Sequence, residues 1–403
     1  MYNFVTLVMS QNNSFNEYKT TKLNKKLGVL LSDLTLILLA AGSSSRFEMD
    51  IKKQWLRIDH KPLWQFVAQR LQDSKLFDKI IITSSSDDIN FMENYADFTF
   101  VIGGKTRQES LKNALSEVET EYTLVSDIAR ACIDEEFLNF IISHKGQADC
   151  IVPYLKVSDT VVYEDKTIDR DKVKRVQTPQ LSVTKSLKNA LSTDEEFTDE
   201  SSAIVSNGGC RKFIIGQENA HKITYINDLN KIPCLEKPSG DILSGNGFDV
   251  HAFDKNSEMF LGGVKIDSDF GFLAHSDGDV AIHALIDALL GAAGMGDIGM
   301  MFPDNDDSFK NIDSKILLEK VVTKLHSFGF VIINVDITIA AQKPRIGKYK
   351  LQMRKVLSSI LKLDSSRVNI KATTTEKLGF IGRAEGVGVI ANANLKYFDW
   401  TKI

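Results

Sequence analysis

The sequence predicts two consecutive domains: an α/β domain with a parallel-dominated sheet, followed by a compact α+β domain. Short apolar strands alternate with helical patterns in the first half of the 403-residue chain, which is typical of βαβ units. Two prolines and a glycine interrupt both periodicities between Asn230 and Gly240. A new apolar pattern then begins at Ile242. The chain therefore has two structural parts joined by a short linker.

These observations set the expected boundaries. Residues 1–33 are rich in Asn, Lys and Ser without clear periodicity and are expected to form a flexible extension. The first domain is expected over residues 34–236, the linker over 237–241 and the second domain over 242–403.

The first domain is predicted from its strand pattern. The candidate strands are Leu34–Ala40, Lys79–Ser84, Phe98–Ile102, Thr123–Ser126, Cys150–Tyr154 and Phe213–Ile215. Apolar residues at helical spacing predict helices over Pro62–Asp73 and Arg107–Val118. Ligands of such sheets bind beyond the carboxyl ends of the strands, so a binding site is expected there.

The second domain is predicted to begin with a strand and to continue with mixed elements. The further elements are helices over Asp279–Gly291, Ser314–Phe328 and Lys348–Leu361, a strand over Val331–Ala340, and a strand pair over Val368–Thr373 and Gly386–Leu395. No repeat relates the two halves, which indicates a fusion of two different domains.

The composition is that of an ordinary globular protein, with 43% hydrophobic and 25% charged residues. A net charge of -4 gives no broad basic surface, so nucleic acid is not an expected partner. The four cysteines form no Cys-x-x-Cys pair, and we expect free thiols in a reducing cytoplasm.

One segment imitates a secretion signal. A lysine-rich stretch precedes an apolar run from Leu27 to Ala41, which is the order of regions in a signal peptide. Ser32 and Asp33 interrupt the run, and it is too short to span a bilayer. The segment is therefore interpreted as the approach to a buried strand, and no membrane association is expected.

A small-residue turn after the first strand is a candidate phosphate site. Gly42 lies in an Ala-Ala-Gly turn, and Arg46 and Lys53 follow it. Main-chain N–H groups of such a turn can bind phosphate, and the two cations can neutralise charge that develops during phosphoryl transfer. Taken alone the pattern is weak, because small-residue turns after strands are common.

Further clusters strengthen the phosphate interpretation. Gly103 begins a second glycine turn that opens a helix containing Ser110. Asp127 lies at the end of a strand, where it could hold magnesium. A basic run containing Arg170 leads into the polar turn Arg175–Gln180.

The second domain contains a candidate metal site. Asp249 and His251 are two residues apart, so both side chains project from one face of a strand, and His283 lies in a predicted helix. One carboxylate and two imidazoles suit a catalytic zinc site with an open fourth position. The alternative to a metal site is a pair of surface acids and a core histidine whose hydrogen bonds are satisfied. For Asp277 and Asp279 the alternative is capping of the helix, and we accept that role for Asp279.

The first half resembles the 2-C-methyl-D-erythritol 4-phosphate cytidylyltransferase family over about residues 34–236. The resemblance rests on the Ala-Ala-Gly turn with its later Arg and Lys-Gln pair, the Gly-Gly turn, the run Asp127-Ile128-Ala129-Arg130, and Thr178-Pro179-Gln180. It implies a Rossmann-like nucleotidyltransferase sheet.

The resemblance also implies roles for individual residues. Arg46 and Lys53 would stabilise the transition state of attack on CTP, and Asp127 would bind magnesium or manganese and the ribose. Arg170, Thr160 and Lys222 would hold methylerythritol phosphate, with Arg170 and Thr160 reaching a neighbouring subunit. The remaining implied substrate-binding residues are Gly42, Gly103 and Ser110.

The second half closely resembles the 2-C-methyl-D-erythritol 2,4-cyclodiphosphate synthase family over essentially residues 242–398. The matching motifs are Gly247–His251, Ala274–Val280, Gly296–Gly299, Phe302–Asp304 and Lys371–Phe380.

This second resemblance implies that Asp249, His251 and His283 bind Zn²⁺ or another divalent metal and that Glu376 binds a second divalent ion, Mg²⁺ or Mn²⁺. Phosphates would be held by His275 and Ser276, and the methylerythritol hydroxyls by Asp297 and Gly299. The residues implied to contact cytidine or phosphate are Ala341–Pro344, Thr373, Thr374, Thr375, Phe380 and Arg383.

Together the resemblances imply a bifunctional cytoplasmic enzyme of isoprenoid-precursor synthesis. The families' dimers and trimers suggest a hexamer, and association with the intervening pathway kinase is a hypothesis. One alternative keeps only the cyclase active, with the first half a silent assembly module, because Ser44, Lys105 and Ala131 depart from the family's loops. Another is a sugar-1-phosphate nucleotidyltransferase.

Overall fold

The computed structural model describes residues 33–42, 44–273, 276–303 and 312–403. These residues form two compact units. The first contains the described residues up to Glu48 together with Lys61–Leu235, and the second contains Met49–His60 together with Glu236–Ile403. The predicted extension, residues 1–33, lies outside the described residues except for Asp33. The assignment of residues 49–60 to the second unit is a feature that the sequence pattern did not indicate.

The strands and helices follow the predicted alternation. In chain order, the strands are β1 (Leu34–Leu39), β2 (Arg57–Ile58), β3 (Lys61–Pro62), β4 (Lys79–Ser84), β5 (Thr99–Ile102), β6 (Tyr122–Asp127), β7 (Cys150–Lys156), β8 (Val161–Tyr163), β9 (Lys166–Ile168), β10 (Lys174–Val176), β11 (Gln180–Val183), β12 (Arg211–Ile215), β13 (Leu243–Asp254), β14 (Met259–Leu261), β15 (Val264–Ile266), β16 (Gly271–Phe272), β17 (Phe330–Ala340), β18 (Val368–Thr373) and β19 (Gly386–Tyr397). The helices are α1 (Leu63–Asp73), α2 (Ser86–Met92), α3 (Arg107–Leu115), α4 (Glu135–Ile142), α5 (Thr184–Ala190), α6 (Glu200–Ser206), α7 (Val280–Ala293), α8 (Ile298–Met301), α9 (Ser314–Ser327), α10 (Lys350–Leu361) and α11 (Gly379–Gly382).

The first unit is built on an eight-stranded sheet in the order β10-β7-β11-β6-β1-β4-β5, with β12 beside β7. Strands β6, β1, β4 and β5 pair in parallel. β11 is antiparallel to both β6 and β7. The α/β fold prediction is confirmed. The antiparallel strand β11, which lies between β6 and β7, was not predicted from its short sequence. The ends of β1, β5 and β6 meet at one edge, where the candidate site lies.

The central strand β1 shows why this sheet forms. All six of its residues are buried, which matches a continuous apolar run covered by helices on both faces. Helix α3 begins at Thr106, whose side chain accepts a hydrogen bond from the Glu109 N–H. This cap fixes the start of the helix directly after the glycine turn.

Cys132 and Cys234 form a disulfide with a Cα–Cα distance of 5.7 Å. The expectation that all four cysteines are free thiols was therefore wrong for this pair. The two residues are 102 positions apart, so their proximity depends on tertiary structure. Cys150 is free and buried, and Cys210 is free and exposed.

The second unit is built on a five-stranded sheet in the order β16-β13-β19-β17-β18. β18 and β19, predicted as a strand pair, are separated by β17, which pairs in parallel with β18 and antiparallel with β19. In β17 buried residues alternate with half-buried ones except at Ile333 and Asn334, and in β19 buried residues alternate with exposed or half-buried ones from Val389 to Lys396. The sheet therefore packs on its helices with one face.

Helix α7 packs very closely on β13. A Cβ added at Gly245 would lie 2.0 Å from the Ala288 carbonyl oxygen, and one at Gly247 would lie 2.0 Å from that of Ala284. Only glycine allows this approach of strand to helix. The strand that carries two of the predicted metal ligands is thereby held against the helix that carries the third.

The opposite face of the sheet is open. Phe248 of β13 lies directly opposite Ile390 of β19, and their exposed fractions are 61% and 46%. Beside them, Asn246 bonds Asn392, and Asn394 bonds Asn334.

Residues 49–60 form part of the aromatic core of the second unit. Trp55 is fully buried and stacks on Phe328 with ring centroids 4.1 Å apart. The Arg57 guanidinium lies 5.0 Å from the Phe330 ring and 4.8 Å from the Tyr397 ring. The backbone carbonyl of Arg57 accepts a 2.8 Å hydrogen bond from the indole N–H of Trp400.

Within the described ranges, no helix combines the length and the apolar character that crossing a bilayer would require.

We expect Trp55→Ala to destabilise the second unit by about 3–5 kcal/mol, because the change removes a buried indole and leaves a cavity beside Phe328. Urea denaturation of the full chain, followed by hydrogen exchange of peptides from β17 and β1, measures each unit separately. Leu351→Ala is the control, since Leu351 is 70% exposed. Loss of protection confined to β1 would contradict the assignment of this segment.

Candidate functional site

The first unit contains a cavity of about 620 Å³ at the carboxyl edge of its sheet. Three residues predicted from the sequence line it: Arg46, Asp127 and Lys222. The other lining residues are Arg107, Arg130, Val176, Gln177, Thr178, Gln180, Phe197, Thr198, Asp199 and Ser202. Four cationic side chains and two carboxylates therefore face one space, which suits a polyanionic ligand.

The two predicted glycine turns lie side by side. A Cβ added at Gly103 would lie 2.4 Å from the Ala41 Cβ, so the turn after β5 touches the turn that contains Gly42. The Gly104 N–H donates to Ser110 Oγ at 3.0 Å. Glycine is required at position 103 because any side chain would separate the two turns.

Asp127 ends β6 and is held by two cations. Lys222 Nζ lies 2.7 Å from its Oδ2, and Arg107 Nε lies 3.3 Å from its Oδ1. Burial alone would raise the pKa of Asp127, but the charges of Arg107 and Lys222 outweigh burial and hold that pKa well below its usual range. The carboxylate is therefore ionised throughout the physiological range.

Arg107 is shared between two carboxylates. Its Nη1 lies 2.7 Å from Glu200 Oε1, and the Glu200 side chain is fully buried. Burial raises the pKa of Glu200, and Arg107 acts against that increase. Sequence reasoning missed Glu200, because an acid in the first turn of a helix is ordinarily interpreted as a dipole partner.

Arg130 completes the wall of the cavity. Its Nε donates to Thr178 Oγ1 at 2.8 Å, and its Nη1 donates to the Ala220 carbonyl. Thr178 in turn donates to Asp127 at 3.4 Å. The motif around residues 127–130 and the turn at residue 178 are thus joined by hydrogen bonds.

Three predicted residues of the first constellation lie elsewhere. Thr160 and Arg170 are exposed on the segment around β8 and β9, where Arg170 donates to the Ser158 carbonyl. Lys53 belongs to residues 49–60, which are part of the second unit. The roles of all three remain predictions.

The second unit brings the predicted triad together. Asp249 Oδ2 lies 3.2 Å from His251 Nε2 and 3.4 Å from His283 Nδ1. One potential ligand atom of each residue lies within 4.8 Å of the others. β13 supplies the first two residues and α7 supplies the third.

The environment of the triad suits a divalent cation. His251 Nδ1 lies 2.9 Å from the Gly278 carbonyl oxygen, so its Nε2 lone pair faces Asp249. Burial alone would raise the pKa of Asp249, but the two imidazoles hold it well below its usual range. Burial alone would lower the pKa of His251, but Asp249 raises it. One carboxylate and two imidazole nitrogens fit a zinc-type site with a position left for substrate.

The predicted helix cap at Asp279 is confirmed. Its buried carboxylate accepts hydrogen bonds from Ala281 and Ile282 at the start of α7. It also accepts from Gly262 at 2.8 Å and from Gly263 at 2.6 Å. This carboxylate fixes the start of the helix that carries His283.

Other predicted residues of the second constellation lie at or near the starts of helices α7 and α8. Asp297 accepts from Met300 N–H at the start of α8, which contains Gly299. Ser276 Oγ lies 3.2 Å from His283 Nε2. His275 lies outside the described residues.

The loop after β18 holds the remaining predictions. Thr373 ends β18, Thr374 Oγ1 donates to Glu376 Oε1 at 3.0 Å, and Thr375 Oγ1 donates to a backbone carbonyl. Glu376 lies outside the metal-ligand cluster around Asp249. Phe380 is 38% exposed, and Arg383 pairs with Glu385 at 2.6 Å.

Comparison with protein families matches each unit. The model described as 2-C-methyl-D-erythritol 4-phosphate cytidylyltransferase matches residues 34–234. The YgbB family model matches residues 242–396.

Relatives match the whole chain. A protein of Sulfurimonas denitrificans named bifunctional enzyme IspD/IspF is 71% identical over 403 residues, covering 100% of both chains. A protein of the same name from Aliarcobacter butzleri is 53% identical over 371 residues, covering 92% of this chain and 99% of its own. The structure of bifunctional IspDF from Campylobacter jejuni has 47% identity and a TM-score of 0.85, covering 92% of this chain and 100% of that one.

We expect zinc affinity to rise with pH and to level off only above 6.5, the usual pKa of histidine, because Asp249 raises the pKa of His251. A ligating imidazole must lose its proton, so binding competes with protonation until the pH exceeds that raised pKa. Isothermal titration calorimetry in buffers of different ionisation enthalpy measures the proton released.

Asp249→Asn provides the comparison for this prediction. It should weaken zinc binding and also move the pH dependence to lower pH, because the charge that raises the pKa of His251 is gone. An affinity that does not vary between about pH 6 and 8 would contradict the interpretation.

Proposed function

The chain belongs to the family of bifunctional IspD/IspF enzymes, and from this membership we propose how its residues divide the chemistry. It has cytidylyltransferase and cyclodiphosphate synthase activity, and nothing in the comparisons favours a silent first half. The substrates of the two family reactions are consistent with this chain, and both families depend on metals in general. The identities of the ions and the roles of individual residues are the proposal.

In the first reaction an oxygen of methylerythritol 4-phosphate attacks the α-phosphorus of CTP. The bond from that phosphorus to the bridging oxygen breaks, and diphosphate leaves. We assign Arg46 and Lys53 to the negative charge that develops at phosphorus. Gly42, Gly103 and Ser110 hold the nucleotide, Asp127 binds Mg²⁺ or Mn²⁺, and Arg170, Thr160 and Lys222 orient the methylerythritol phosphate.

The observation that carries this assignment is the ion-paired Asp127 within a largely cationic cavity. Its partners are Lys222 at 2.7 Å and Arg107 at 3.3 Å, and a divalent cation bound to Asp127 would leave Lys222 available for a phosphate oxygen. The buried Glu200 keeps Arg107 anchored during that exchange. The carboxylate thus stays compensated with or without substrate.

In the second reaction an oxygen of the 2-phosphate attacks the β-phosphorus of the cytidine diphosphate, and CMP leaves. A divalent cation, held by Asp249, His251 and His283, would supply charge neutralisation at the diphosphate. Ser276 and His275 hold phosphate, and Asp297 and Gly299 hold the hydroxyls of the sugar alcohol. The attacking oxygen is already anionic, so alignment of the two phosphates is the chief requirement.

The remaining proposed contacts surround the leaving cytidylate. Glu376 would bind a second divalent ion. The groups that contact cytidine or phosphate are Ala341–Pro344, Thr373, Thr374, Thr375, Phe380 and Arg383. Of these residues, Thr373, Thr374 and Arg383 are exposed, and Ala341 is buried.

We expect Lys53→Ala to abolish diphosphate release from CTP and to leave CMP release by the cyclase intact, because the lysine serves only the first transition state. His251→Ala should do the reverse and remove bound zinc. Separate assays of the two products, with metal analysis of each protein, test both variants. Loss of both activities in Lys53→Ala, or zinc at wild-type stoichiometry in His251→Ala, would refute the assignment.

The proposal includes a homo-oligomer with a trimeric second unit and, with the first, a hexamer. The open face of its sheet, with Phe248 and Ile390 exposed, supports an interface between copies. We also propose a cytoplasmic location. Association with the pathway kinase is a further proposal, and absence of binding at micromolar concentrations would remove it.

We expect light scattering of the 45.0 kDa chain to give the mass of a hexamer. Ile390→Asp should reduce that mass, because a charge on the open face would be buried without a partner. Leu351→Asp, on α10, should leave it unchanged. A monomer or a plain trimer in the wild type would count against the hexamer.

A further inference from the structure

The two nitrogens of His283 face different groups. Nδ1 lies 3.4 Å from Asp249 Oδ2, on the side of the proposed metal. Nε2 lies 3.0 Å from Ser314 Oγ and 3.2 Å from Ser276 Oγ. A neutral imidazole donates from one nitrogen and accepts at the other, so the groups behind Nε2 decide which nitrogen can ligate.

Ser314 is committed as a donor elsewhere. It is fully buried at the first position of α9, and its hydroxyl donates to Asp277 Oδ1 at 2.5 Å. Its backbone N–H donates to the other oxygen of the same carboxylate at 3.2 Å. A carboxylate only accepts, so the Ser314 proton points to Asp277 and its oxygen is left to accept from His283.

We infer that Asp277 and Ser314 are a positioning pair that holds His283 in the tautomer with its proton on Nε2. The Nδ1 lone pair then points to the space between Asp249 and His251. The inference rests on the proposed metal site and extends it to residues that touch neither metal nor substrate. Groups behind a ligating histidine commonly set its tautomer in this way.

The loop that contains Asp277 also orients the imidazole of His251. The Gly278 carbonyl accepts from His251 Nδ1 at 2.9 Å, which leaves the Nε2 lone pair of that ring for the metal. Gly278 therefore orients the His251 ring through its carbonyl, and Asp277 orients the His283 ring through the buried Ser314. Ser276 Oγ also accepts from the Gly278 N–H, which leaves its own O–H to donate to a phosphate oxygen.

A purely structural role for this pair is the competing explanation, because Asp277 also holds the first N–H of α9. The two explanations differ in what Ser314→Ala does. That change keeps the hydrogen bond from the backbone N–H of residue 314 to Asp277 and removes only the hydroxyl. Asp277→Asn introduces an amide that can donate to Ser314 and so turn the serine proton toward His283.

The test uses the full-length chain stripped of metal, with zinc affinity measured by competition with a chromophoric chelator. Ser314→Ala and Asp277→Asn should each weaken zinc binding about 10–100-fold. The double variant should bind zinc no less tightly than whichever single variant has the lower zinc affinity, because the two residues act as one unit. Thr323→Ala, which removes an exposed hydroxyl from the same helix, is the matched control.

Solid-state ¹⁵N spectra of the sedimented metal-free protein report the tautomer directly. The His283 signals are identified by their loss in His283→Ala. The wild type should show a protonated Nε2, and Ser314→Ala should show a mixture. An unchanged zinc affinity in Ser314→Ala would overturn the inference, as would a weakened affinity with the wild-type tautomer retained.

Failure of the metal site itself has a different signature. If the wild type binds no zinc, the proposed function of the triad fails. The tautomer of His283 in the metal-free protein still tests the positioning pair in that case. A wild-type ring protonated on Nδ1 would overturn the inference whatever the metal result.

Discussion

The buried carboxylate of Asp279 is the contact on which the second site depends. It accepts from two N–H groups at the start of α7 and from two in the turn between β14 and β15. The helix therefore cannot shift along its axis without leaving buried donors unpaired. Gly245 and Gly247 fix its distance from β13. Together these contacts set where His283 points relative to Asp249.

The two sites differ in the side chains that they present to an anionic substrate. The first presents four cationic side chains, two of which, Arg107 and Lys222, compensate the ionised Asp127. The second has a carboxylate between two imidazoles, which attracts a cation rather than supplying one. In the proposed second reaction, a divalent cation held by that triad would supply the positive charge that helps to align two phosphates of one molecule.

Sequence reasoning predicted the features that local pattern encodes. The strand run at Leu34, the spacing of Asp249 and His251, and the cap at Asp279 all depend on near neighbours in the chain. It missed Glu200 and Ser314, because each acquires its role from a partner far away in sequence. The Cys132–Cys234 disulfide was missed for the same reason. Long-range pairing leaves no periodic signal in a single sequence.

The second unit is not built from the C-terminal half of the chain alone. The chain leaves the first unit after Glu48, contributes residues 49–60 to the second unit, and returns at Lys61. Trp55 and Arg57 in that segment cover Phe328, Phe330 and Tyr397. A cut within residues 237–241 would therefore leave the second unit without part of its aromatic core and expose those rings to water. Residues 49–60 are thus constrained by the packing of the second unit, although most of that unit lies more than 170 positions later in the chain.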